Sequence, residues 1–159
     1  MKIKYFKIIL LINLSLFSLV ISAFSQIPTP VVDLDFGTIL TGVPKVVSKT
    51  DAGKAAEFTV SGTAGAEITI DFILPAYMYA GSKTMRIVFS QTDCSMDSST
   101  TPDQSNPPFN DKNPWRTITY GIGSNGLTIW LGGLVMPEVN QASGNYTAPL
   151  TIQIQYTGN

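Results

Sequence analysis

The chain has 159 residues with a single cysteine and no histidine, and its 10 basic and 11 acidic residues leave a net charge of −1. The missing histidine removes the Ser-His and Cys-His nucleophile pairs and the commonest metal ligand, and a lone cysteine cannot form an internal disulfide. We therefore expect neither enzymatic activity nor a bound cofactor or metal.

Residues 1–25 have the features of a cleaved secretory signal peptide. Three lysines stand within the first seven residues, an apolar run follows over residues 8–24, and small residues allow cleavage before Gln26. An uncleaved anchor is the alternative, because the run approaches the length that spans a bilayer. Cleavage would release one domain, residues 26–159, to the periplasm, the cell surface or the medium, without membrane attachment. Without the three signal lysines, 7 basic residues remain against 11 acidic ones, and a net charge of −4 offers nothing basic to nucleic acid.

Short segments with alternating apolar and polar residues follow one another through the mature chain, and Gly and Pro turns separate them. Asn125-Gly126 supplies the positive φ angles of a tight hairpin turn between two of these strands. No helical periodicity of useful length accompanies them. The pattern predicts an all-β domain, an immunoglobulin-like antiparallel β-sandwich. The nine predicted strands cover residues 31–36, 38–40, 45–48, 57–61, 67–74, 84–89, 116–121, 127–131 and 146–156.

The predicted core consists of the apolar residues that alternate along these strands, because one face of each strand packs inward in a sandwich. It comprises Leu34, Phe36, Phe58, Val60, Ile68, Ile70, Phe72, Ile87, Phe89, Ile129, Leu131, Leu150, Ile152, Ile154 and Tyr156.

Residues 91–114 interrupt the strand pattern with a long polar loop, rich in Asp, Ser and Pro. Long loops in compact domains are usually functional or disordered, and the composition favours disorder. Its aspartates could chelate calcium, but their spacing fits no known calcium loop, so we expect a solvated acidic loop. Cys94 is expected to be a bystander thiol, with intermolecular pairing as the alternative. The four aspartates are Asp93, Asp97, Asp103 and Asp111.

Two further sets of side chains have a functional and a structural interpretation. Asp33 and Asp35 share one strand face, and we expect a charged outer face that discourages aggregation rather than an acid/base pair. Trp115, Tyr120 and Trp130 could form an aromatic platform for sugar rings. Trp130 alternates away from its apolar neighbours, so the alternative is that it fills a second part of the core.

Three blocks of sequence resemble a bacterial family of exported domains of unknown function, number 4402 in its naming series. Leu34-Asp-Phe-Gly-Thr-Ile39 is similar to its opening, and residues 56–65 with Ile68-Thr-Ile70 are similar to its second block. Trp130-Leu-Gly-Gly133, residues 141–146 and the closing strand resemble its third block. The resemblance covers nearly the whole mature chain and implies the family, which has no established function.

That family in turn resembles pilus subunits and spore-coat-like secreted proteins with immunoglobulin-like folds. Pilus subunits end in a strand with a glycine and, twelve residues later, a tyrosine, as Gly144 and Tyr156 stand here. The resemblance implies that a second copy or an export chaperone pairs with this strand by β-strand addition. The alternative interpretation is the last strand of a complete sandwich. The implied assembly residues are Gly144, Tyr146, Leu150, Ile152, Ile154 and Tyr156.

The sequence thus predicts an exported structural or adhesive protein, a pilus-like or surface-coat subunit that assembles by β-strand addition. The alternative is a monomeric carbohydrate-binding or lectin-like surface module whose partner is a glycan. That module would stack sugar on Trp115, Tyr120 or Trp130, with residues 91–114 as a lid.

Overall fold

The computed structural model of the chain describes residues 25–26 and 28–158, so the predicted signal sequence lies almost wholly outside the described residues. The described part is antiparallel β-structure without helix, which confirms the all-β prediction. It accordingly contains no helix that is long and apolar enough to cross a membrane. The strands are β1 (Ser25–Gln26), β2 (Thr29–Val32), β3 (Lys45–Val47), β4 (Ala56–Val60), β5 (Glu67–Ile73), β6 (Tyr77–Ala80), β7 (Lys83–Val88), β8 (Cys94–Asp97), β9 (Phe109–Lys112), β10 (Ile118–Gly121), β11 (Leu127–Leu131), β12 (Gly133–Met136) and β13 (Thr151–Tyr156).

The strands form three sheets. Sheet I has the order β1-β13-β5-β10, sheet II has the order β2-β4-β11-β8-β9, and sheet III has the order β3-β12-β7-β6. Every pairing within them is antiparallel. The closing strand β13 lies between β5, which pairs along its whole length, and the two residues of β1.

One hydrophobic cluster receives side chains from all three sheets. Alternation along the strands explains it, as in β13, where Ile152 and Ile154 are buried while Thr151, Gln153 and Gln155 are exposed. The predicted core is confirmed. Most of its members are buried in the cluster, and four are partly buried and pack against it. The four are Leu34, Phe72, Leu150 and Tyr156.

Some predicted strand boundaries are wrong, and the reasons are local. Residues 38–40 form no strand, and the first predicted strand is instead Thr29–Val32. The closing strand starts at Thr151 rather than at residue 146, just after Pro149, which has no N–H to donate to a ladder. The residues before it pass from sheet III, where Thr147 bridges to Tyr79, to sheet I.

The predicted hairpin at Asn125-Gly126 is wrong, although a tight turn is present. Gly123 and Gly126 exchange two backbone hydrogen bonds of 3.0 and 3.1 Å, so Ser124 and Asn125 are the central residues. Only Gly126 of the four has a positive φ angle, 98°. The flanking strands do not pair with each other, because β10 belongs to sheet I and β11 to sheet II. The turn therefore carries the chain from one sheet to another.

The prediction of a disordered polar loop over residues 91–114 is also wrong. This segment contains β8 and β9, and β8 pairs with the central strand β11 of sheet II. All four residues of β8 are buried: Cys94 and Met96 join the core, while Ser95 and Asp97 are buried on the other side of the strand. Small polar residues on that second side concealed the strand pattern.

Candidate functional site

An apolar groove of about 950 Å³ opens between the first and last segments of the domain. One wall is residues 33–41, which follow β2, and the other is residues 141–150, which precede β13. Its floor is formed by side chains of sheets II and III that are almost fully buried, such as Phe58 and Ile87. The apolar side chains that line the groove include Leu34, Phe36, Ile39, Phe58, Met78, Met85, Ile87, Phe89, Tyr146 and Leu150.

The groove exists because the chain's first segment separates from its last strand. Ser25 and Gln26 pair with Gln155 and Ile154 of β13. Pro28 and Pro30 follow and lack the N–H groups that would continue this ladder. The chain then crosses to sheet II, where β2 pairs with β4. Among the described residues, pairing on that side of β13 therefore stops at Ile154.

The wall of residues 141–150 is fixed by side chains. The Tyr146 hydroxyl donates to the Ala142 carbonyl at 2.6 Å and accepts from Gln141 Nε2 at 2.7 Å. The same amide donates to the Thr84 carbonyl at 2.9 Å, which ties the wall to β7. Lys83 Nζ adds a bond of 3.1 Å to the Ser143 carbonyl. A half-buried tyrosine thus holds the wall to the β6–β7 hairpin.

Backbone contacts bring the same wall against β6. Tyr79 and Thr147 exchange two backbone hydrogen bonds of 2.8 and 3.0 Å. A side chain at Gly144 would place its Cβ 2.9 Å from the Ala80 Cβ, closer than two carbons normally approach. The glycine therefore serves close packing against the sheet III edge, a role that its spacing from Tyr156 does not reveal.

The predicted assembly residues fall into two places. Gly144, Tyr146 and Leu150 line the groove. Ile152 and Ile154 turn into the core from β13, and Tyr156 lies at the far end of that strand, where Thr63 N approaches its hydroxyl at 3.3 Å. The sequence therefore identified one wall of the groove but not its floor.

The opposite wall carries Asp33 and Asp35, and both are exposed. Asp35 N donates to the Lys54 carbonyl at 2.8 Å, and its carboxylate accepts from Gly37 N at 2.7 Å. The two carboxylates alternate with Leu34 and Phe36, which face inward, so they form the charged outer side of an extended segment, as the structural interpretation predicts.

The three candidate aromatic rings lie in different surroundings. Trp130 is 2% exposed within sheet II, so no ligand can stack on its indole in this conformation. Tyr120 packs on Phe109 with ring centroids 4.4 Å apart. Trp115 is 55% exposed, and its Nε1 donates to the Phe89 carbonyl at 2.9 Å. The predicted three-ring platform is therefore not assembled, and Trp115 alone offers an open ring face.

The four aspartates of residues 91–114 accept hydrogen bonds within the fold. Burial opposes ionisation of Asp97, but the backbone N–H groups of Asp103 and Ser99 lower its pKa below the usual value. Bonds from Ser105 lower the pKa of Asp103. The carboxylate of Asp93 accepts from Ser90, and that of Asp111 pairs with Lys49 at 2.6 Å. In the part of the chain that is described, no three potential ligands lie close enough to hold a metal ion.

The sequence predicted that Cys94 lies in a polar loop. This prediction is wrong, because Cys94 is a fully buried residue of β8. Burial raises the pKa of its thiol from 9.0 to about 12; the charge of Lys49 lowers that pKa by a smaller amount, and the charge of Asp93 raises it slightly. A buried, protonated thiol is a poor nucleophile. Intermolecular pairing through Cys94 would require β8 to separate from its neighbours β11 and β9.

Comparison with protein families gives a match over most of the chain. The family model described as "Domain of unknown function (DUF4402)" matches residues 37–156. The chain belongs to this family. No curated protein matches it. The DUF4402 match covers the wall of residues 141–150 and the floor of the groove, but it begins at Gly37, after β1, β2 and the inward-facing Leu34 and Phe36.

Proposed function

We propose that this DUF4402 protein is an exported structural or adhesive subunit with an immunoglobulin-like sandwich fold. Copies would assemble by β-strand addition at the groove, in the periplasm, on the cell surface or in the medium. The observation that carries this proposal is the apolar groove of about 950 Å³ between the chain's first and last segments. A chain without histidine favours such a binding role over catalysis.

The incoming strand in this proposal is the segment of residues 26–36 from a neighbouring copy. In its own copy the first part of this segment is irregularly paired, because the β2–β4 register shifts between Pro30 and Val32, and Val31 is 53% exposed, whereas Phe36 at its end is buried in the core. Leu34 and Phe36 supply the alternate apolar side chains that a strand needs to fill a groove. Exchange replaces these contacts by identical ones from another copy, which makes it a low-cost route to assembly.

An export chaperone would bind the same groove by strand addition before the subunits assemble. A strand from the chaperone could pair beside the first residues of β13 and cover the groove, since the edge of a sheet offers backbone groups to an extended chain. The groove floor supplies the apolar surface that such a protecting strand would bury.

A labelled peptide of residues 26–40 tests the proposal directly. We expect saturable binding to mature protein, residues 26–159, measured by fluorescence anisotropy. A control peptide with Leu34→Asp and Phe36→Asp should not bind, because charged side chains cannot enter the apolar groove. Leu150→Asp in the protein should weaken binding, while Ile73→Asp, at a position 55% exposed on β5, should not. Equal binding of both peptides, or of neither, would contradict strand addition.

A further inference from the structure

The outer face of sheet III is a second surface with unusual composition. Each strand of this sheet turns alternate side chains to the core, such as Val47, Val135 and Ile87, which are at most 6% exposed. The intervening side chains point away from the core. We use the name outer face of sheet III for this second set, which comes from β3, β12, β7 and β6.

Strand register places these outward side chains in rows. Leu134 pairs with Val46 on one side and with Val88 on the other, which makes an aliphatic row across three strands. The next row contains Met136, Arg86 and Tyr77, and Tyr79 with Thr84 follows in a third row. Val46, Tyr77, Tyr79 and Met136 are 66%, 46%, 52% and 39% exposed.

This composition resembles the centre of a protein interface rather than an ordinary surface. Tyr, Met and Arg are enriched at interface centres, whereas Asp, Glu and Lys are depleted there. The three rows contain one charge, Arg86, and no acidic residue. Within the described residues, no carboxylate lies within ion-pair distance of Arg86. A partner that covers this face must therefore supply an acid to Arg86 as well as apolar surface.

The required acid stands at the border of the same face. Glu138 follows Met136 by two residues and is exposed, and it forms no ion pair with a described residue. Its backbone carbonyl accepts from Gly42 N at 2.9 Å, which joins this border to the loop that precedes β3. The loop and border expose further aliphatic side chains, with Val139 at 87%, Val43 at 52% and Leu40 at 68%.

We propose that the outer face of sheet III binds a second copy of the chain, with Arg86 of each copy opposite Glu138 of the other. In a two-fold arrangement, a contact from one residue to another is made twice, so both cations and both acids are paired. Arg86 and Glu138 lie at different places on the face, so this arrangement does not bring Arg86 of one copy against Arg86 of the other. The interaction is separate from strand addition, since none of the groove's pairing is involved.

The size of the face predicts a weak dimer. Four strands at about 4.8 Å spacing and five residues at about 3.3 Å give a patch of roughly 19 by 17 Å. That area, roughly 320 Å² per copy, is well below the ~800 Å² per partner of a stable interface, so we expect a weak dimer that forms at high concentration and dissociates on dilution.

Charge exchange at the two positions tests the proposal by sedimentation equilibrium of mature protein. Excess 26–40 peptide should be present, so that strand exchange does not contribute to the mass. Arg86→Glu and Glu138→Arg should each weaken the dimer at least tenfold, because each creates two like-charge contacts. Arg116→Glu, a charge reversal at an exposed arginine on the segment before β10, serves as the matched control and should leave the dimer unchanged.

Mixing the two charge-reversed variants gives the sharper result. A heterodimer of Arg86→Glu with Glu138→Arg restores both opposite-charge contacts, so association should recover on mixing and in the double variant. A monomeric parent, or variants that neither weaken nor recover association, would overturn the proposal. The strand-addition proposal is judged separately, by peptide binding, and either can fail alone.

Discussion

The backbones of Tyr79 and Thr147 exchange two hydrogen bonds, and this bridge decides where the groove lies. It holds the chain against the edge of sheet III four residues before β13 begins in sheet I. The segment between the two sheets therefore spans the opening and becomes one wall. The other wall forms because Pro28 and Pro30 turn the first segment away from β13.

Tyr146→Phe should loosen the groove wall without removing apolar contact. The change deletes a hydroxyl that donates to Ala142 and accepts from Gln141. We expect a loss of about 1–2 kcal/mol in the free energy of unfolding, measured by urea denaturation of the mature protein. Tyr77→Phe, on the exposed face of β6, is the control and should change stability by less than about 0.5 kcal/mol. Equal losses would mean that the hydroxyl does not fix the wall.

Gly123→Ala should be far more harmful than Gly121→Ala, although the two glycines are two residues apart. A Cβ at Gly123 would lie 1.8 Å from the Ser98 carbonyl oxygen, whereas at Gly121 no heavy atom lies within 4 Å. We expect a loss of about 3 kcal/mol or more at the first position and less than about 1 kcal/mol at the second. Thermal denaturation of both variants measures the difference. Similar melting temperatures would show that residues 98–100 pack elsewhere.

Asp97→Asn should destabilise the protein at neutral pH but not in acid. The pKa of this buried carboxyl is lowered by N–H groups of Asp103 and Ser99, so its ionised form stabilises the fold. That stabilisation is complete above the unfolded value of 3.8 and is lost as the pH falls through the lower folded value. Melting curves of parent and variant should therefore still differ at pH 4 and should converge only as the pH falls well below 3.8. A difference in melting temperature that persists at pH 2 would mean that the substitution destabilises the fold through side-chain shape rather than through lost charge.

Cys94 should be inert in the folded protein and reactive in the unfolded one. Its pKa of about 12 leaves almost no thiolate at pH 8, and the side chain is fully buried. We expect no labelling by a maleimide at pH 8 over the time in which denatured protein is labelled completely. Mass spectrometry distinguishes the two states. Rapid labelling of native protein, or a disulfide-linked dimer after mild oxidation, would restore the intermolecular-pairing alternative.

Alternation along single strands was predictable, whereas pairing between strands was not. Residues 127–131 were predicted with the bounds that β11 has, because Leu127, Ile129 and Leu131 repeat with period two. The strand β8 was missed because Ser95 and Asp97 are buried as well as their apolar neighbours, and burial on both sides hides the alternation. Alternation in the sequence predicts which side of a strand is buried, but burial of the other side depends on packing against distant parts of the chain.

The groove was half predictable for the same reason. Gly144, Tyr146 and Leu150 belong to one continuous segment, so sequence reasoning reached them. The floor combines Phe58 of sheet II with Ile87 of sheet III, whose proximity depends on which strands share a sheet. No local sequence pattern indicates that these two residues lie close together.

The most direct test of the central claim is the mass of mature protein, residues 26–159, by light scattering across a concentration series, with and without the 26–40 peptide. The protein used carries Arg86→Glu, which keeps the outer face of sheet III from contributing to the mass. Strand addition predicts oligomers that grow with concentration and that the peptide reduces to capped single subunits. A monomer at every concentration, indifferent to the peptide, would contradict it and would favour a monomeric glycan-binding module instead.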